Sequence, residues 1–126
     1  MKKIVFSLLL VVGFSALAHD NPPEIGKCFI VNNGIPTKPV SCVINTGGGA
    51  GGSFINFKVK GKNILIEEGQ DINVGTDAES LSKGEIYSRD YKTFKKIKNP
   101  KNDDPWYYCA RQVSGKLDAC FIIIDD

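Results

Sequence analysis

Apolar and polar residues alternate through the middle of the chain. In Phe54-Ile-Asn-Phe-Lys-Val-Lys-Gly-Lys-Asn-Ile-Leu-Ile-Glu67, Ile55, Phe57 and Val59 fall on one face and Lys58 and Lys60 on the other. A period of two marks a half-buried strand, because successive side chains of a strand point to opposite faces of its sheet. A turn at Gly61-Lys62 makes this segment a predicted hairpin, with Ile64 and Ile66 facing the same core.

Trp106 to Ile124 reads as a second hairpin, two β-prone runs divided by Ser114-Gly115. Folding about that turn sets Cys109 opposite Cys120 and Arg111 opposite Asp118, so one register accounts for a disulfide and an ion pair together. A two-residue turn would put the cysteines at a hydrogen-bonded site; a four-residue loop, Val113 to Lys116, the preferred alternative, keeps the pairing and moves them to a non-hydrogen-bonded one, where side chains lie closer. Apolar residues occupy both faces near the base, Tyr107 and Ile122 on one, Trp106, Tyr108, Phe121 and Ile123 on the other. Such a hairpin belongs in the middle of a sheet.

The other elements are shorter. Runs 28–32 and 40–45 flank a broad turn marked by Asn33-Gly34, Pro36 and Pro39. A short strand is expected over Asp71–Val74. Thr76-Asp-Ala-Glu79 has capping-box spacing and predicts one helical turn through Ser82, ended by Gly84. Glu85 to Lys98 fits two patterns: Ile86-Tyr87 suits a strand, whereas Tyr91, Phe94 and Ile97 at spacing three suit a short amphipathic helix. Asn99 to Pro105 is a polar loop. The expected fold is mainly β: a small antiparallel sandwich or barrel-like domain built from hairpins, with room for one short helix, stapled by two disulfides.

The N-terminus follows a different rule. Met1-Lys2-Lys3 precedes an uncharged run from Ile4 to Leu17, and Ala16-Leu17-Ala18 stands before His19-Asp20. A basic head, a compact apolar stretch and small residues before a cut describe a Sec-type secretory signal peptide over 1–18, cleaved after Ala18. The apolar run is shorter than the ~20 residues a membrane-spanning helix needs, so no stable membrane anchor is expected. His19 to Asp126 is then one domain in a bacterial periplasm or outside the cell.

Export changes what the cysteines mean. Four of them, Cys28, Cys42, Cys109 and Cys120, in an oxidising compartment predict two disulfides. Three connectivities are possible; the local hairpins favour Cys28–Cys42 and Cys109–Cys120, each worth about 2–4 kcal/mol. The absence of a Cys-x-x-Cys pair argues for structural rather than redox cysteines.

It also changes the charge. The full chain carries 16 Lys and Arg against 14 Asp and Glu, and loss of Lys2 and Lys3 with the signal leaves the mature chain neutral. That excludes the basic excess typical of a nucleic-acid binder. Charge is nevertheless segregated: Glu67, Glu68, Asp71, Asp77 and Glu79 occur without a basic residue among them, whereas Lys83 to Lys101 carries Arg89, Lys92, Lys95, Lys96 and Lys98 against Glu85 and Asp90. The simpler reading is a solvated face balanced by the acidic segment nearby; the functional one is a cationic face for an anionic envelope component such as lipopolysaccharide or teichoic acid.

Catalytic chemistry finds little footing. His19 is the only histidine, which removes Ser-His-Asp and Cys-His nucleophiles and an amino-terminal copper site needing a second imidazole. Zinc would need cysteines already bridged. Ser80-Leu-Ser-Lys83 matches Ser-x-x-Lys without the companion motifs of penicillin-recognising enzymes. The glycine run Thr46 to Ser53 lacks the Gly-Lys-Ser/Thr of a phosphate loop and reads as a connector between hairpins. Glu67-Glu68, Asp103-Asp104 and Asp125-Asp126 are adjacent carboxylates, and neighbours on a strand point apart. Were the chain an enzyme, Glu85, Asp90 and Asp118 would be its acids.

No catalytic residue, metal or cofactor is therefore expected. The function expected is that of an exported binding protein recognising another protein, such as an inhibitor or immunity protein against an envelope-acting enzyme or toxin. Gly48, Gly49, Gly51, Lys95, Lys96 and Trp106 are the candidate contacts, glycines because a loop can mould to a partner, Trp106 because aromatics dominate interface energetics. The competing class is a structural or assembly subunit of a surface appendage, adhesin or toxin oligomer.

Overall fold

The computed structural model describes residues 18–49, 51–101 and 104–124, and among these there is no helix. The strands are β1 (Ala18–Asp20), β2 (Glu24–Asn32), β3 (Ile35–Pro36), β4 (Val40–Gly49), β5 (Gly52–Val59), β6 (Lys62–Glu68), β7 (Ile72–Gly75), β8 (Ser82–Asp90), β9 (Lys96–Ile97), β10 (Trp106–Gln112) and β11 (Asp118–Ile123). Every pairing is antiparallel. Eight strands run in the order β4-β5-β6-β7-β8-β10-β11-β2, and the β2–β4 pairing closes them into a barrel. β1, β3 and β9 lie outside that ring, paired to β4, β2 and β8. The expected signal segment falls outside the described residues except for Ala18.

Closure follows from two-sided strands. The inward residues Ile44, Phe57, Val59, Ile64, Ile66, Val74 and Phe121 fill the barrel, with Ala110 opposite Ala119 where the aromatic rings need room. Phe57 and Phe121 meet at 5.3 Å between centroids, and Tyr108 and Phe121 at 5.2 Å. The interior is thus packed with side chains, as in other small barrels. Outside the wall, Phe29, Val31, Tyr107, Cys109 and Cys120 form a second core, capped by Tyr91 and Phe94. Phe29 meets Tyr107 edge-on at 4.8 Å, and Phe94 stacks on Tyr107 at 5.8 Å. The central position expected for the last hairpin is realised: β10 and β11 sit between β8 and β2 with apolar residues on both faces.

Cys109 pairs directly with Cys120, with Cα atoms 4.0 Å apart, and Cys28 bridges Cys42 at 6.0 Å. The Gln112 amide donates to the Leu117 carbonyl, closing the four-residue loop over Val113 to Lys116. Both disulfides belong to a chain folded in an oxidising environment.

Five local readings change or are resolved. The first hairpin turns at Lys60-Gly61, one residue earlier than expected, with φ of 50° and 84°. Two successive positive φ values are what a two-residue turn of right-twisted strands requires, and they put Ile55 opposite Ile66 and Phe57 opposite Ile64. Asn33-Gly34 makes a second turn of this kind, with φ of 51° and 82°, so the broad turn is a tight hairpin followed by a kinked return.

Thr76 to Ser82 does not become helical. Asp77 Oδ1 accepts the Glu79 and Ser80 amides while Ser80 Oγ accepts those of Thr76 and Asp77, so capping side chains close an isolated turn. Glu85 to Lys98 is strand, turn and strand. Asp90 Oδ2 accepts the Lys92 and Thr93 amides, and the turn, with Phe94 at φ 64°, lays Tyr91 and Phe94 on the outer core.

The glycine run is strand as well. Gly47–Gly49 and Gly52 pair within β4 and β5, and β1 adds to β4 at the same residues. A side chain at Gly47 would stand 2.7 Å from the His19 carbonyl oxygen and 2.8 Å from the Phe54 ring. The glycines admit close backbone approach, which a connector would not need.

Candidate functional site

Two clefts on opposite kinds of surface gather the residues of interest. The first, about 670 Å³, lies where β1, the β4–β5 glycine hairpin and the β6–β7 turn meet. Gly48, Gly51 and Gly52 give part of its wall no side chains, while Asp20, Glu67, Glu68 and Asp71 supply carboxylates, and apart from His19 no basic residue lines it. Glu67 and Glu68 reach the same cleft although adjacent strand residues point apart. β6 ends at Glu68, so one carboxylate leaves the outer face and the other the barrel rim.

Tyr108 stands inside the barrel with its hydroxyl buried and without a hydrogen-bond partner among the described residues. Burial pushes its phenol pKa up, and the nearby Glu68 carboxylate adds to the effect without forming a bond of acceptable geometry. Tyr107, on the other face, is pushed up to about 12 by burial and then by Tyr91.

The second cleft, about 540 Å³, is basic. Arg89, Lys38 and Lys95 line it together with Thr37, Phe94 and Pro36, and no carboxylate does. Arg89 is 5% exposed; its Nε donates to the Tyr87 hydroxyl at 3.2 Å and its Nη1 to the Phe94 carbonyl at 2.8 Å. Tyr87 in turn donates to Asp118 Oδ1 at 2.5 Å. Lys96 sits over the Tyr87 ring, 5.3 Å from its centroid.

Arg111 and Asp118 are opposite each other, as the register predicts, but the ion pair goes elsewhere. Arg111 is also opposite Glu85 of β8, which is half exposed and forms the salt bridge, whereas Asp118 is half buried and committed to Tyr87. Exposed carboxylates keep their hydration while pairing, so the more accessible partner is favoured.

Of the sequence candidates, Gly48 and Gly51 line the acidic cleft and Lys95 the basic one. Gly49 is a ladder residue opposite Gly52. Lys96 rests on Tyr87. Trp106 is a partly buried residue at the start of β10, opposite Asp90. The structure therefore divides these six residues among several places. Sequence reasoning passed over Asp20, Thr37 and Lys38, and counted Arg89 only as one charge of the basic segment. For the acidic cleft the basic-free stretch around Glu67 to Asp71 was the available signal; Lys38 and Arg89 meet only through the fold.

The molecule these features define is a disulfide-clasped, closed antiparallel barrel with a filled interior. No protein-family model, curated protein or solved structure matches the chain.

Proposed function

We propose that this is an exported binding protein, cut after Ala18 and released to the periplasm or the exterior, that recognises another protein. An inhibitor or immunity protein against an envelope-acting enzyme or toxin is the form of that role favoured here. The observation that carries the reading is the acidic cleft beside a packed barrel. Core side chains occupy the barrel interior, where hollow barrels carry a small ligand, so recognition is sought on the surface. There, Gly48, Gly51 and Gly52 admit a partner's backbone closely, while Asp20, Glu67, Glu68 and Asp71 attract a basic side chain.

An exposed apolar patch adds to this. Ile25 and Val43 are cross-strand partners, 60% and 47% exposed, and Ile124 beside them is 39% exposed. Apolar surface rimmed by charge is the usual make-up of a protein contact.

The test is affinity capture by the tagged, oxidised mature chain from envelope and culture-supernatant extracts, beside size-exclusion chromatography of the bait. One stoichiometric foreign enzyme or toxin, lost in the Glu67→Lys/Asp71→Lys variant, is the expected result. A bait that recovers only itself as a defined oligomer overturns this reading in favour of an assembly subunit. The mass of the exported chain tests the cleavage, with His19 expected as its first residue.

A further inference from the structure

We propose that the basic cleft between the β3–β4 return and the β8–β9 turn is a binding site for a phosphate monoester. The argument begins with Arg89. It is almost wholly buried, and among the described residues no carboxylate forms an ion pair with it. A buried guanidinium is costly unless its charge is compensated. The Phe94 carbonyl and the Tyr87 ring, whose centroid lies 5.2 Å from the guanidinium carbon, offset part of that charge, and the one carboxylate linked to it by hydrogen bonds, Asp118, is reached only through the Tyr87 hydroxyl.

Asp118 is already shared. Arg89, Arg111 and Lys96 all act on it, and only Arg111 has a second carboxylate, Glu85. Asp90, next in sequence to Arg89, is taken up by the Lys92 and Thr93 amides. The region therefore carries a surplus of positive charge, and Arg89, Lys38 and Lys95 direct it into one concavity.

The shape of the donor set favours phosphate. Nε and Nη1 of Arg89 have partners, and Nη2 has none among the described residues. Lys38 and Lys95 are exposed and bring ammonium groups from two different elements. Thr37 Oγ1 accepts the Ile30 amide at 3.2 Å and keeps its own proton to donate. A planar carboxylate is satisfied by one guanidinium fork, whereas donors arriving from several directions suit a tetrahedral dianion. Pro36 and the Phe94 ring give the phosphate's organic substituent an apolar wall.

The group could belong to a soluble phosphomonoester or to a phosphorylated lipid headgroup, and the experiment separates these. Amide chemical shifts of the oxidised mature chain would be followed during titration with inorganic phosphate at constant ionic strength, beside sedimentation with phosphatidylcholine vesicles with and without phosphatidic acid. Saturable shifts centred on Thr37, Lys38, Phe94 and Lys95 are expected, with affinity reduced at least tenfold in Lys38→Gln/Lys95→Gln, whose exposed side chains can be changed without touching the core. Co-sedimentation that requires phosphatidic acid and is lost in that variant assigns the group to a lipid; saturable phosphate binding without co-sedimentation assigns it to a soluble ester. Shifts that stay linear, or that appear equally at Lys58, Lys60 and Lys62, together with vesicle binding unaffected by the variant, overturn the proposal.

Discussion

The Tyr87 hydroxyl donates to Asp118 Oδ1 at 2.5 Å, tying β8 to β11 across the intervening β10. Burial raises the Asp118 pKa, and this outweighs the lowering by the Tyr87 bond and by Arg89, Arg111 and Lys96. A carboxyl raised above its unfolded value, about 3.9, binds its proton more readily in the native state. Its contribution is fully present below that value and is lost as pH rises through the folded pKa. Thermal melts between pH 3 and 7 should show wild type losing stability relative to Asp118→Asn as pH rises. A difference that is flat, or grows with pH, would sink this assignment.

Asp90 should show the opposite slope. The Thr93 amide, helped less strongly by that of Lys92, holds its carboxyl below the ordinary range against the opposing effect of burial. Stability from this group is present above the unfolded pKa and lost as pH falls through the folded one. Asp90→Asn should therefore narrow its deficit against wild type on acidification, read in the same melts.

Two tyrosines should respond differently to loss of a hydroxyl. Tyr108→Phe removes a buried hydroxyl without a partner and should leave stability unchanged or raise it by up to about 1 kcal/mol. Tyr87→Phe strands both Asp118 and Arg89 Nε and should cost about 1–3 kcal/mol. Denaturant unfolding at pH 7 distinguishes them, and a larger loss at Tyr108 would contradict the interior described above.

Gly26 and Gly34 should fail for different reasons. A Cβ at Gly26 would run into the Ile122 carbonyl and lie 2.6 Å from Ile44 Cδ1, so Gly26→Ala is an overpacking change costing about 1–3 kcal/mol or more. Gly34 has open space around it but φ of 82°, so Gly34→Ala should cost only the left-handed penalty of about 1–2 kcal/mol. A difference structure or amide-shift map should show β2, β4 and β11 disturbed by the first and only the β2–β3 turn by the second.

Removal of either disulfide should cost about 2–5 kcal/mol. Cys109 and Cys120 are completely buried in the outer core, so Cys109→Ala/Cys120→Ala should also loosen the packing of Tyr91 and Phe94. Non-reducing guanidinium melts and amide exchange over 91–97 measure the two effects.

Much of the wall was legible in the sequence because strand pairing is local where hairpins are short. The cysteine register in the last hairpin and the alternation from Phe54 to Ile66 follow from a period of two and a turn. The room left for one short helix, at Thr76–Ser82 or within Glu85–Lys98, goes unused because the signals there were ambiguous at short range. Thr76, Asp77 and Ser80 close a turn with the same side-chain bonds that could start a helix, and Tyr91 and Phe94 reach one surface from a turn as readily as from a helical face.

The sequence by itself determined the β class, the hairpin that faces Cys109 to Cys120 and the pairing of the cysteines, since each depends on residues close along the chain. Only the tertiary structure decided that β2 closes onto β4 and that Arg111 turns to Glu85 rather than Asp118. It alone brought Lys38 to Arg89 and Lys95, and Asp20 to Glu67 and Asp71. Contacts between distant segments depend on strand order and closure, and a hydrophobic period says which face is buried without saying which strand lies beside it.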